Sequence, residues 1–234
     1  MNRENWVVFV PFYLLICIVL IGVADFGSKT VTVYSENQSV QRKRCIVIDA
    51  GHGGIDGGAT SCTGVLESQI NLEIAKRLND LFQFLGYDTR MIRTTDISIH
   101  TQGNTIAAQK ISDLKERVKI GNETPGALYL SIHQNTFSDS RYGGAQVFYG
   151  ESKEGHELAV LLQSKFLETV NPDSHRSVKH SNGVYLMENL TCPAVLIECG
   201  FLSNPKEEAQ LRDDRYQKKF SAVIVSVVSN FISS

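Results

Sequence analysis

The sequence predicts an α/β fold: one domain on a twisted, mostly parallel sheet of about six strands flanked by helices, behind an N-terminal hydrophobic segment. Two observations carry this. From Cys45 onward, short apolar runs alternate with stretches whose apolar residues recur at helical spacing, which is the sequence sign of strands alternating with crossover helices. Before Cys45 the pattern differs, because Trp6 to Ala24 is a nearly uncharged apolar run interrupted by Pro11 and Gly22.

"CIVID", starting at Cys45, is the first strand. Ile70, Ile74, Leu78, Leu81 and Leu85 then mark a helix, which Gly86 closes. "YDTRMIRT" supplies a second strand, and a polar loop through "HTQGNT" leads to a helix around Ile111 to Ile120 carrying Leu114 and Val118. "ALYLSIH", residues 127–133, is the third strand and "GAQVFYG" the fourth, followed by a helix with Leu158, Leu161, Leu162, Phe166 and Val170. "VYLM" (184–187) and "AVLI" (194–197) complete the strands. A final helix presents Phe220, Val223, Ile224, Val227, Val228 and Phe231 on one stripe, which packs against the sheet.

Three segments result. Residues 1–25 are a signal peptide or membrane anchor, since the apolar run has about the 17–25 residues a spanning helix needs. No convincing small-residue cleavage site follows it, which favours an anchor. Residues 26–44 form a polar linker, and residues 45–234 the catalytic domain. Arg42, Lys43 and Arg44 lie at the limit of the roughly 15–20 flanking residues that orient a span, so charge leaves the orientation open.

The 23 basic and 25 acidic side chains give a formal charge of -2 without a long basic stripe, which argues against a nucleic-acid partner. The five cysteines, Cys17, Cys45, Cys62, Cys192 and Cys199, match no CxxC motif, and their odd number argues for free thiols rather than a disulfide framework.

The chemistry gathers at "VIDAGHGGIDGGA", residues 47–59. No Lys with Ser or Thr follows its glycines, so it is not a P-loop, and Asp56 stands where the dinucleotide fingerprint needs its last glycine. The glycines instead let the chain turn sharply off the first strand and leave His52 at the strand's C-terminal end, where open α/β sheets bind ligands. "LYLSIH" ends in His133 and "AVLIE" in Glu198. Parallel pairing of these strands puts all three residues on one edge.

Two histidines there point to zinc, whose catalytic sites use three protein ligands and leave one position open. Glu67 in "GVLES" is the best third ligand; Asp56 is its rival, with holding the loop as its other role. Glu198, directly after four apolar residues, suits the non-ligating carboxylate that moves protons in a zinc hydrolase. Taken singly, each has a plainer reading: a histidine capping a strand, or a glutamate favoured by a helix dipole. His100, His156, His175 and His180 fall in loop or helix stretches away from this edge. Cys62 and Cys199 flank the candidates, and thiolate ligation by either would close the site toward a structural role.

"VIDAGHGGIDGGA", "GVLES", "LYLSIHQN" and "PAVLIECGFLSNPKEE", in this order and at these separations, resemble the zinc-dependent N-acetylmuramoyl-L-alanine amidases from about Cys45 to the C-terminus. The resemblance implies one Zn2+ per domain on His52, Glu67 and His133, Glu198 as the catalytic residue, and supporting roles for Asn135 and Arg117. Gly57 and Gln134 depart from the family pattern, which more often has proline and a small residue there. The implied reaction is hydrolysis of the amide joining N-acetylmuramic acid to L-alanine in peptidoglycan, in an extracytoplasmic protein that is membrane-anchored or secreted. A single catalytic domain behind a hydrophobic N-terminus is similar to the sporulation-type members. That implies a role in spore cortex muramic-δ-lactam formation, functional coupling to a muramic acid deacetylase, and an accessory protein. The alternatives are a non-catalytic peptidoglycan-binding module and a zinc peptidase acting within the stem peptide.

Overall fold

A computed structural model describes residues 44–234; the signal or anchor segment expected at 1–25, and all of the linker except Arg44, lie outside the described residues. Six strands form one sheet: β1 (Cys45–Ala50), β2 (Asp88–Met91), β3 (Ala127–Asn135), β4 (Gln146–Tyr149), β5 (Lys179–His180) and β6 (Ala194–Phe201), in the order β2-β1-β3-β6-β4-β5. β1 runs parallel to β2 and β3, and β3 parallel to β6; β4 is antiparallel to β6 and parallel to β5. Central parallel strands are covered on both faces and so read as continuous apolar runs. Accordingly Ile46, Val47, Ile48, Leu128, Leu130 and Ile132 are all fully buried.

The helices are α1 (Glu67–Phe84), α2 (Ile106–Glu123), α3 (Lys153–Thr169), α4 (Tyr185–Asn189), α5 (Pro205–Leu211) and α6 (Asp214–Ser233). α1, α3 and α6 cover one face, burying Ile70, Ile74, Leu78, Phe166, Phe220 and Ile224 in one cluster with Ile46, Leu130 and Ile197. The opposite face holds a smaller cluster of Val47, Tyr129, Leu196, Leu186 and Met187, against which Val118 and Leu190 pack. None of the described helices is long and apolar enough to cross a membrane.

"VYLM" is not a strand. Asn182 and Gly183 turn the chain, with Gly183 at φ +80° and its N–H donating to the Glu188 carboxylate at 2.6 Å. The short helix α4 follows, and β5 lies upstream at Lys179–His180. The adjacent Leu186 and Met187 are 3% and 1% exposed. A half-covered strand would send them to opposite faces, whereas one helical turn buries both.

Helix α2 is longer than its apolar pattern because Thr105 caps it, its hydroxyl accepting the Ala108 N–H at 3.2 Å. Its inward residues are Asp113, Arg117 and Gly121, while Ile111 is exposed. Leu85 and Leu161, assigned to inward stripes by spacing, are also exposed. At the sheet edge where β1 ends, α2 turns Asp113 and Arg117 inward and α1 turns Glu67 inward.

Candidate metal and catalytic centre

β1 ends at Ala50, and the next two residues form the site's most constrained backbone. His52 has φ +61°, the only non-glycine at positive φ among the described residues, a conformation that costs an ordinary side chain roughly 1 kcal/mol or more. Two buried arginines hold it. Arg117 donates to the Ala50 carbonyl at 3.0 Å and the His52 carbonyl at 2.7 Å, and its guanidinium is paired with Asp49 and Asp113. Arg93 donates to the carbonyls of Ala50 (2.8 Å), Gly51 (3.0 Å) and Ser68 (2.7 Å). The loop is thus fastened to α2, to the end of β2 and to the start of α1.

The glycines make room for side chains. A Cβ on Gly51 would lie 2.2 Å from the His133 ring, and one on Gly58 would lie 2.6 Å from a Glu67 carboxylate oxygen and 2.8 Å from the His52 ring. α1 begins under this loop without a side-chain cap; the Glu67 and Ser68 N–H groups donate instead to the carbonyls of Ala59 (2.8 Å) and Gly57 (3.1 Å).

Ligand-type atoms of His52, Glu67 and His133 all lie within 4.8 Å of one another. The Glu67 carboxylate lies between the rings, 3.0 Å from His133 Nδ1 and 3.3 Å from His52 Nε2. It also accepts the N–H groups of Ala59 and Gln134, each at 3.0 Å, and the Asn71 amide at 3.2 Å. Asp56, the rival ligand, lies outside the trio: one carboxylate oxygen holds His52 Nδ1 at 2.9 Å and the other meets Lys110 at 2.8 Å. It therefore orients the imidazole from behind and leaves Nε2 facing Glu67, the usual relation of a carboxylate to a ligating histidine.

Burial works against charge at both Glu67 and His52, and their mutual contacts reverse it. Burial alone would raise Glu67, but hydrogen bonds to His133 and His52 hold it well below the usual carboxylate range. Burial alone would lower His52, yet Glu67 and Asp56 push it up to about 9. The cluster is a buried anion facing two imidazoles, a cavity charged to suit a cation.

Glu198 pairs in register with His133 across β3 and β6, so the two side chains share a sheet face at the same level. Its Oε2 is buried without a hydrogen-bond partner. Burial, reinforced by the Glu67 charge, pushes its carboxyl up to about 7 even though His133 and His52 pull the other way. Of the two supporting residues, Arg117 reaches the loop. Asn135 lies beyond a register shift in β3, and its side-chain oxygen accepts the Thr136 N–H at 2.8 Å rather than touching the trio.

Among the described residues, no other histidine or cysteine joins this cluster. His156 packs tilted and His180 edge-on against Tyr149, His100 bonds Ser98, and Cys199 is buried with its thiol pushed up by burial. Sequence reading missed Arg93, Asp49, Asn71 and Lys110. A charge inside an apolar run was the available signal for two of them: Asp49 ends "CIVID" and Arg93 follows "MI".

A family model described as N-acetylmuramoyl-L-alanine amidase matches residues 46–230. The chain belongs to that family. This amidase is 36% identical over 192 residues to the germination-specific N-acetylmuramoyl-L-alanine amidase of Bacillus subtilis, covering 81% of the chain and 80% of the relative. It is 27% identical to the Escherichia coli amidase AmiA, over 81% of the chain and 76% of AmiA. Among solved structures it matches the CwlD amidase from Clostridioides difficile in complex with the GerS lipoprotein, with a TM-score of 0.78 and 36% identity over 81% of the chain and 98% of that structure. The protein is a hydrolase of the N-acetylmuramoyl–L-alanine amide, and its substrate is peptidoglycan.

Proposed function

We propose that the amidase works with one zinc ion held by His52, Glu67 and His133, with Glu198 as its acid–base residue, on spore cortex peptidoglycan outside the cytoplasmic membrane. The donor set fits the ion: two imidazoles and one carboxylate are zinc ligands, and the Glu67 side chain is 4% exposed whereas those of His52 and His133 are 26% and 18% exposed. The buried side is thus filled by protein and the imidazole side is open to substrate. When bound, zinc supplies Lewis acidity to the scissile carbonyl and brings the pKa of water to about 7.

Everything else is done by the chain. Asp56 and the Arg117 and Arg93 contacts keep the His52 ring aimed inward. The ionised Glu198 takes a proton from the attacking water and returns it to the departing L-alanine nitrogen. Burial raises this carboxyl above an exposed glutamate in the metal-free cluster, which helps it hold the proton it must return. The observation that carries the reading is the unpartnered Glu198 Oε2 beside the three converging ligand-type side chains.

Glu198→Gln is expected to bind zinc like the wild type and to lose at least about 100-fold in kcat, while His52→Ala and His133→Ala lose both. Metal analysis together with identification of the released peptides tests this. Retained turnover in Glu198→Gln would remove the assigned role, and cuts within the stem peptide would favour a peptidase.

The cortex assignment rests on likeness to the germination-specific relative. It entails a deacetylase that completes muramic-δ-lactam after the peptide is released. The lipoprotein bound to the Clostridioides difficile relative supports an accessory partner for this chain as well. Deleting the gene should leave spore cortex without muramic-δ-lactam in muropeptide analysis; unchanged lactam would exclude the cortex role.

A further inference from the structure

The row of polar residues on this sheet face does not stop at Glu198. In β4, the neighbour of β6 on the side away from β3, Gln146 pairs in register with Glu198. Gln146 is buried and fully engaged, its amide donating to the Ser177 carbonyl at 2.8 Å and its oxygen accepting Arg176 Nη1 at 2.6 Å. The order across the sheet is therefore His133, Glu198, Gln146, with Arg176 beyond. Adjacent strands are about 4.8 Å apart, so Arg176 stands one short peptide's length from the reacting centre.

Arg176 is held in place, not merely present. Its Nε donates to the Gly143 carbonyl at 2.8 Å, and its guanidinium carbon lies 4.5 Å from the centroid of the Phe201 ring. Among the described residues, Nη2 has no hydrogen-bond partner and no carboxylate comes within ion-pairing distance. Partial burial pulls the guanidinium below its ordinary value, and the more distant Glu207 and Glu198 offset this only in part. Arg176 lines a cleft of about 700 Å³, together with Arg141 and Lys179 against Asp139 and Asp173. Asp139 is already bound by Arg141 at 2.7 Å. A fixed, half-buried cation with an unused donor edge, in such a cleft, is built for an anionic ligand.

The reaction supplies one. The group that departs is the amine of L-alanine, so the stem peptide begins at the atom Glu198 protonates. The next stem residue is a glutamate joined through its side-chain carboxyl, which leaves its α-carboxyl free or amidated. We propose that the cleft beside Glu198 receives the departing stem peptide and that Arg176 selects it by binding the α-carboxylate of the second stem residue. This rests on Glu198 being the group that protonates the amine.

The test uses the zinc-loaded protein and two soluble muropeptides that differ only in a free or an amidated α-carboxyl at that residue. The wild type is expected to favour the free acid by about tenfold or more in kcat/KM, mostly through KM, as for a charge-assisted hydrogen bond. Arg176→Gln removes the preference by losing activity on the acid alone, and Arg176→Lys keeps part of it. Calorimetry with the released acid peptide should show the same ranking. Equal kcat/KM for the two substrates in the wild type overturns the proposal, as does an equal loss on both in a folded Arg176→Gln. If Arg176→Gln does not fold, the wild-type ratio and Arg176→Lys decide. Glu198→Gln separates the two readings: turnover retained there removes the acid–base role, while the wild-type ratio still reports on the cleft.

Discussion

At Gly51 the difference between a hydrogen and a methyl group decides whether His133 can lie where it does. Gly51→Ala puts a carbon 2.2 Å from that ring, so the imidazole must move, with an overpacking cost of about 1–3 kcal/mol. Zinc affinity should fall about 100-fold or more, since displacing a ligand exceeds the 10–100-fold cost of losing a supporting contact. Gly64, at φ +91° with nothing within 4 Å of an added Cβ, is the control. Gly64→Ala should cost about 1 kcal/mol of backbone strain and leave zinc binding unchanged, and zinc titration with urea denaturation measures both. Glu198 permits a second residue-level test, in metal-free protein. Its folded pKa of about 7 lies above the ordinary 4.5, so its contribution to stability is fully present below 4.5 and lost as pH rises through 7. Glu198→Gln should therefore match the wild type near pH 5 and exceed it near pH 8, by on the order of 3 kcal/mol. Melting curves at the two pH values check this, and a pH-independent difference would mean that the carboxyl does not titrate in that range.

The unit that positions His52 is a strand end fastened by a helix and by the run after β2. Arg117→Met leaves Asp49, which is fully buried, without its guanidinium, the His52 carbonyl without its arginine donor, and the Ala50 carbonyl with Arg93 alone. A loss of about 3–5 kcal/mol is expected, with a further 10–100-fold in zinc affinity. Adding Asp49→Asn should restore part of the stability but not the affinity, because the His52 carbonyl remains unheld; a double-mutant cycle separates these terms. How far such elements could be read from sequence depends on what fills them. β1, β3 and β6 were legible because strands covered on both faces are apolar throughout, and their parallel pairing brings His52, His133 and Glu198 to one edge. α2 was half legible, since apolar spacing marks a helix but cannot show that its inward face is Asp113 and Arg117. "VYLM" misled because four apolar residues fit a strand and a single buried turn equally well. The glycine next to it, at Gly183, was the better guide. Arg93 and Asn71 act on carbonyls and a carboxylate distant in sequence, and such contacts leave no local pattern.

On the scale of the whole molecule, the candidate metal site lies at the edge of a core that is complete without it. The main apolar cluster joins the sheet to α1, α3 and α6 using no residue of the trio. The trio is itself bonded internally, with Glu67 accepting three N–H groups besides meeting both imidazoles. A zinc finger behaves differently, because there the ion supplies folding energy outright. Chelation should therefore leave far-UV circular dichroism and a single cooperative melt intact, and abolish hydrolysis. Zinc restored at 100 times its Kd should raise stability by about 2.7 kcal/mol, which for a domain of this size is a rise of roughly 5–10 °C in Tm. Loss of secondary structure on chelation would contradict this, because it would make the ion part of the core. The same separation explains how the site can remain open on its imidazole side. Because the core holds the sheet edge and the two arginines hold the loop, the exposed faces of His52 and His133 carry no share of the fold and stay accessible to a bulky glycopeptide.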